Sequence, residues 1–201
     1  MAKKRVEIIS EQDIFKKFIF RITEARLRYE RYNGKMSDEL TRLCFVRGDS
    51  VAILMHDPQA HTLILTEQFR YPTYRAGSSA ENGWLLEIPA GSVEPGELPE
   101  STVRREVQEE IGYILQAFKP ISTFYVSPGG TSERILLYYA QISPKDRTSK
   151  GGGVLAEGED VRTVVMSVRD ALAKIESGEL RDAKSIIALQ WLQLRFYPPK
   201  P

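Results

Sequence analysis

The stretch "GELPESTVRREVQEEIGY", residues Gly96–Tyr113, reads as one helix from about Pro99 to Ile111, with proline at its start and Gly112 just past its end. It sets Glu106, Glu109 and Glu110 within two turns, although like charges three or four residues apart destabilise a helix. Glu106 and Glu110 share nearly one line, Glu109 lies roughly 60° aside, and Val103, Val107 and Ile111 fill the adjoining sector. The carboxylates therefore border the buried edge. Arg105 can pair with Glu109 one turn on and reach back toward Glu97, which leaves the others free. Crowded carboxylates beside apolar surface take up protons unless a cation compensates them. An oxygen-only cluster without His or Cys suits a hard cation such as magnesium or manganese. Magnesium keeps waters and takes substrate phosphate oxygens, so the substrate class is a phosphate ester or anhydride.

The rest of the chain limits the alternatives. Its 201 residues fit one domain, or a domain with a small appendage. Hydrophobic residues at 42% allow a sizeable core, and 28 basic against 27 acidic residues leave no global field to recruit nucleic acid or a membrane surface. Cys44, in "LCFV", is the only cysteine and is expected to be an inert buried thiol. Acidic residues interrupt the basic start before any signal-length apolar run, and no stretch approaches the ~20 apolar residues of a spanning helix. A cytoplasmic location is the expectation.

From about Val6 to Val46 the chain reads as strands, with Asn33-Gly34 as a hairpin signal. So small a sheet has too little core to stand alone and must dock on the main body or on a second subunit. "SVAILMHDPQAHTLILTEQF" is another hairpin, with His56 and His61 expected as surface turn residues. "YPTYRAGSSAENG" is a loop by composition, and "WLLEIPAG" a short buried strand. "FKPISTFYVS", "RILLYYAQI" and "VRTVVMSV" are strands. "VRDALAKIESGEL" and the amphipathic "AKSIIALQWLQLRF" are helices, the second packing through Ile186, Leu189 and Leu192 or Trp191. "SKGGGVLAEGED" is a flexible loop. The order suggests an α+β chain, a mixed sheet sandwiched between helices inserted at three places.

Gly91, Glu97, Arg105, Glu106, Val107, Glu109, Glu110, Gly112 and Tyr113 match the Nudix box without a gap, with an aromatic residue in the last, hydrophobic position. Such a match arises by chance in about one chain of this length per million, whereas a merely solvated Glu/Arg helix leaves Gly91, Gly112 and the spacing unexplained. Outside the box, "LTEQFRYP", "WLLEIPAGSVEPGE", "SPGGTSER", "LAEGEDV" and "SIIALQWLQL" resemble the ADP-ribose pyrophosphatase branch of the Nudix superfamily. "SPGG" and "GGGV" are shared with the GDP-mannose branch. The resemblance implies a Nudix fold at residues 47–201 and a small N-terminal antiparallel β-domain at residues 1–46, exchanged between the subunits of a homodimer.

It further implies metal-dependent hydrolysis of the diphosphate link of ADP-ribose and related nucleoside diphosphate sugars, giving AMP and ribose 5-phosphate. Glu106 and Glu110, with the main-chain carbonyl of Ala90, would hold magnesium or manganese, more than one ion per site, and Glu109 would be a ligand or stand behind one. Glu157, or else Glu159, would be the general base, on a loop that three preceding glycines would let close over bound substrate, and Arg105 would be a further catalytic residue. Arg42 and Arg70 would meet phosphate or the terminal ribose, Glu87 a ribose hydroxyl or the metals, Glu133 the terminal ribose, and Phe18 the adenine. The 71–84 segment is longer than the branch leads one to expect, which bears on selectivity for the distal group. The alternatives are a GDP-mannose or broad nucleotide-sugar pyrophosphatase, a Nudix-fold sensor that binds without cleaving, and a decapping enzyme, the last disfavoured by the neutral charge.

Overall fold

The structure, a computed structural model, describes residues 3–76 and 83–198. The chain divides into two units, Met1–Gly48 with Tyr125–Arg134, and Asp49–Phe124 with Ile135–Pro201. In the first, β1 (Val6–Lys17), β2 (Phe20–Tyr29) and β3 (Leu40–Val46) form an antiparallel sheet in the order β1-β2-β3. The Asn33-Gly34 pair lies in the β2–β3 connection, where Gly34 takes φ +79° and the Asn33 side chain accepts from the Lys35 amide. Segment 125–134 joins this unit through the Phe45 amide, which donates to Gly130 O at 2.8 Å, and through Arg47, whose amide donates to Ser132 Oγ at 3.0 Å. No apolar side chain described in the unit is buried. Cys44 is accordingly half-buried, which corrects the expectation of a buried thiol: this sheet has no interior to hide it in.

The second unit is built on β4 (Asp49–Asp57), β5 (Thr62–Phe69), β6 (Trp84–Glu87), β7 (Ala90–Ser92), β8 (Lys119–Tyr125), β9 (Arg134–Gln141) and β10 (Val161–Ser167). The strands run in the order β10-β5-β4-β9-β8, with β6 on β5 and β7 on β4, in a mixed sheet. Its helices are α1 (Tyr71–Ala76), α2 (Pro99–Ile111), α3 (Val168–Glu176) and α4 (Ala183–Phe196). Alternate residues of β4 feed two cores. Val51, Ile53 and Met55 pack with Val103, Val107 and Ile111 of α2, while Ala52 and Leu54 pack with Ala171, Leu189 and Leu192 of α3 and α4. The sheet is thus sandwiched, and each fully buried aliphatic side chain contributes about 1.5–3 kcal/mol.

Four local expectations need correction. The start of the 71–84 segment is the short helix α1, because Pro72 sits in the first turn where its missing N–H costs nothing, while residues 77–82 lie outside the described part. "WLLEIPAG" is split into β6 and β7 rather than one buried strand, and Trp84 is exposed. The helices number four among the described residues, not three. His56 is 1% exposed instead of lying in a surface turn. Strand β4 carries on through it, and its Nδ1 and Nε2 meet the hydroxyls of Tyr139 at 3.1 Å and Tyr197 at 3.0 Å, so the inward-facing ring is fully satisfied. His61, at the turn, is exposed and reaches the same Tyr197 hydroxyl at 3.0 Å.

Candidate active site

Helix α2 supplies the centre. Pro99 opens it, Gly112 closes it at φ +72°, and its buried stripe holds Thr102, Val103, Glu106, Val107, Glu110 and Ile111. The aliphatic members pull two carboxylates into the interior, so Glu106 is 9% and Glu110 3% exposed. Glu106 folds over Gly91 of β7, where a methyl group would overlap its carboxylate. Glu110 Oε2 accepts from the Ala90 amide at 3.2 Å. Tight approach by β7 therefore requires glycine at 91 for steric reasons.

Arg105 stands beside this pair as an organiser. Its Nη1 donates to Glu106 Oε1 at 2.9 Å and to Glu109 Oε2 at 3.2 Å, and Nε and Nη2 grip both oxygens of Glu97 at 3.2 and 3.1 Å. The guanidinium holds Glu97 well below the usual carboxylate range, at about 2. Glu106 and Glu110 move the other way. Burial raises Glu106 to about 7 against the pull of Arg105. Burial, then the neighbouring Glu106 charge, raises Glu110 to about 8. Among the described residues Glu110 has no ion-pair partner, and two buried oxygen donors that resist ionisation fit a hard cation.

The acidic loop before β10 is anchored to the same helix. The Gly152 amide donates to Glu110 O at 2.9 Å and the Gly153 amide to Glu109 O at 3.0 Å, which satisfies carbonyls that a helix end leaves open. Gly151 holds φ +66°, and a Cβ there would run into the Glu110 carbonyl, leaving no room for a side chain. Two of the three glycines thus tie the loop to the end of α2. Past them, Glu159 Oε2 accepts from the Val154 amide at 3.0 Å, and its charge raises both Glu106 and Glu110. The Glu157 side chain lies outside the described part of the structure.

A second ionic group lies at the end of β6. Glu87, 2% exposed, accepts from Arg70 Nε at 2.7 Å and Nη2 at 3.1 Å, and also from Lys184. Lys184 further donates to Asp182 at 2.9 Å. Asp182 caps α4 by accepting from the Ser185 amide, and Ser185 Oγ in turn accepts from the Ile88 amide at 2.8 Å. Paired cations hold Glu87 below its ordinary range despite burial. Asp182, Lys184 and Ser185 went unread in the sequence, although Asp182 three residues before Ser185 is a helix-start signal. Arg42, Glu133 and Phe18 belong to the first unit. Arg42 donates to its neighbour's carbonyl, Thr41 O, at 2.9 Å, Glu133 pairs with Arg47 at 3.6 Å, and Phe18 is 88% exposed in the β1–β2 turn at φ +52°.

A helix-borne pair of buried carboxylates, one of them held by an arginine and lying against a glycine of β7, is a donor set that fits a hard divalent cation. The chain belongs to the Nudix family, and it is a Nudix hydrolase: residues 46–189 match the model described as NUDIX domain. It is 40% identical over 195 residues to the ADP-ribose pyrophosphatase of Escherichia coli (strain K12), covering 96% of this chain and 90% of that one. It is 36% identical over 157 residues to the GDP-mannose pyrophosphatase of Yersinia pestis (strain Pestoides F), covering 78% and 77%. A crystal structure of an ADP compounds hydrolase shares the fold at TM-score 0.71 and 18% identity, covering 98% of this chain and all of that one. Nudix hydrolases generally use divalent metals.

Proposed function

We propose that the chain hydrolyses the diphosphate link of ADP-ribose and related nucleoside diphosphate sugars, releasing AMP and ribose 5-phosphate. The observation that carries the chemistry is the Glu106–Glu110 pair, both buried on α2, with Arg105 on Glu106 and no ion-pair partner described for Glu110. The substrate choice rests on 40% identity to ADP-ribose pyrophosphatase across nearly the whole chain. Glu106 and Glu110 would hold magnesium or manganese, more than one ion per site, together with the Ala90 carbonyl; Glu109, drawn off by Arg105, stands behind them. A magnesium ion there would keep waters and take substrate oxygens for the rest of its coordination. When bound, the ions neutralise charge on the diphosphate and acidify a water.

In this reading Glu159 or Glu157 takes the proton from the attacking water, and a P–O–P bond is broken as a P–O bond to that water forms. Arg105 keeps Glu106 aimed. Arg70 and Arg42 bind phosphate or ribose, Glu87 and Glu133 take ribose hydroxyls, and Phe18 stacks on the base. The absence of buried apolar side chains among the described residues of the N-terminal sheet supports its exchange within a homodimer, and the location we assign is cytoplasmic. A GDP-mannose preference is the second reading, favoured by 36% identity to that pyrophosphatase. Product analysis on a panel of nucleotide sugars with magnesium separates the two: ADP-ribose should be cleaved fastest, and equal or reversed rates for GDP-mannose would overturn the preference. Glu106→Gln should abolish turnover with the fold intact, whereas a wild-type chain inert on the whole panel would be a sensor.

A further inference from the structure

Arg70 is committed twice over if it is to serve a substrate. Both its Nε and Nη2 are on Glu87, and only Nη1 lacks a described protein partner. Glu87 is 2% exposed, so stripping its partner away would leave a buried charge uncompensated, which is strongly unfavourable. An arginine locked in that way has only Nη1 to offer a phosphate and cannot present its fork. Lys184 changes the balance, because it donates to the same Oε2 that receives Arg70 Nη2. Its other partner, Asp182, does not depend on it: the Ser185 amide and hydroxyl hold that carboxylate at the N-terminus of α4, where the helix dipole favours negative charge.

We propose that Lys184 is a positioning residue that keeps the Glu87 carboxylate paired while Arg70 shifts its guanidinium onto a diphosphate oxygen of the substrate. The inference rests on the function proposed above and adds to it the group that makes Arg70 available. Lys184 touches no substrate; it acts through Glu87 on Arg70. Breaking the Arg70–Glu87 fork then costs far less than breaking a lone buried pair, and the α4 N-terminus becomes part of the binding energetics through an ion pair.

The test is Lys184→Met, read by equilibrium binding of the α,β-methylene analogue of ADP-ribose and by steady-state kinetics. Binding should weaken on the order of 10- to 100-fold, with KM rising and kcat held. Lys184→Arg should restore affinity. In an Arg70→Ala background that also carries Glu87→Gln, so that no carboxylate is left unpaired at 87, Lys184→Met should have no further effect on binding. Glu87→Gln/Lys184→Met, which leaves no unpaired carboxylate at 87 and so folds even where Lys184→Met alone does not, should bind the analogue better than Lys184→Met, since a neutral amide cannot trap Arg70. Wild-type affinity in Lys184→Met, additive losses in the Arg70→Ala/Glu87→Gln background, or a Glu87→Gln/Lys184→Met variant as impaired as Lys184→Met would overturn the proposal while leaving the hydrolase reading intact. A wild-type chain that neither binds the analogue nor cleaves the panel would overturn both.

Discussion

At Gly91 the volume that a side chain would occupy is filled by the Glu106 carboxylate. The residue is needed for closeness, not for an unusual backbone angle, since its φ is not in the left-handed region. Gly91→Ala should therefore leave the sheet intact and push Glu106 aside by the width of a methyl group. Misplacement of a catalytic group by about 1 Å costs on the order of 100-fold in rate, so turnover should fall by that order while the circular dichroism spectrum stays unchanged. Arg105 shows the complementary logic. It binds Glu97, Glu106 and Glu109 at once, leaving Glu110 as the carboxylate with least compensation.

At the scale of elements, the tie between β4 and the end of α4 runs through His56, whose burial keeps the ring neutral and lowers its pKa. The groups facing it are Asp57, His61, Tyr139 and Tyr197. The folded chain then binds fewer protons at this site than the unfolded chain, so stability is complete above about pH 6.5 and is lost as pH falls through the range in which the unfolded imidazole charges. Melting temperature should decline between pH 7 and 5, and His56→Gln should flatten that decline at some cost in stability at pH 7. The sequence made α2 legible because period, Pro99 and Gly112 agree there, and α4 legible through its apolar period alone. It concealed His56, because a polar ring next to Asp57-Pro58 looks like a turn until Tyr139 and Tyr197, 83 and 141 residues away, come to meet it. The tie of the glycine run to α2 was hidden for the same reason: its partners, the carbonyls of Glu109 and Glu110, are distant in the chain. In the site, the box carboxylates could be read from local spacing, whereas Lys184 on Glu87 depends on a contact 97 residues apart.

At the scale of the molecule, a divalent cation held by Glu106 and Glu110 would bind the folded chain alone. Magnesium at 100 times its dissociation constant should add about 2.7 kcal/mol, a rise of roughly 5–10 °C in melting temperature. EDTA should remove the rise, and Glu106→Gln should not show it. The two units also differ in what they hold inside. One has a helix-backed sheet with apolar side chains on both faces, and the other has three strands without one buried apolar side chain. Order in time should follow from that difference. In a pulse-labelling refolding experiment, amides of β4, β5 and β9 should become protected first, with β1 to β3 acquiring protection in a later phase that slows as the protein is diluted.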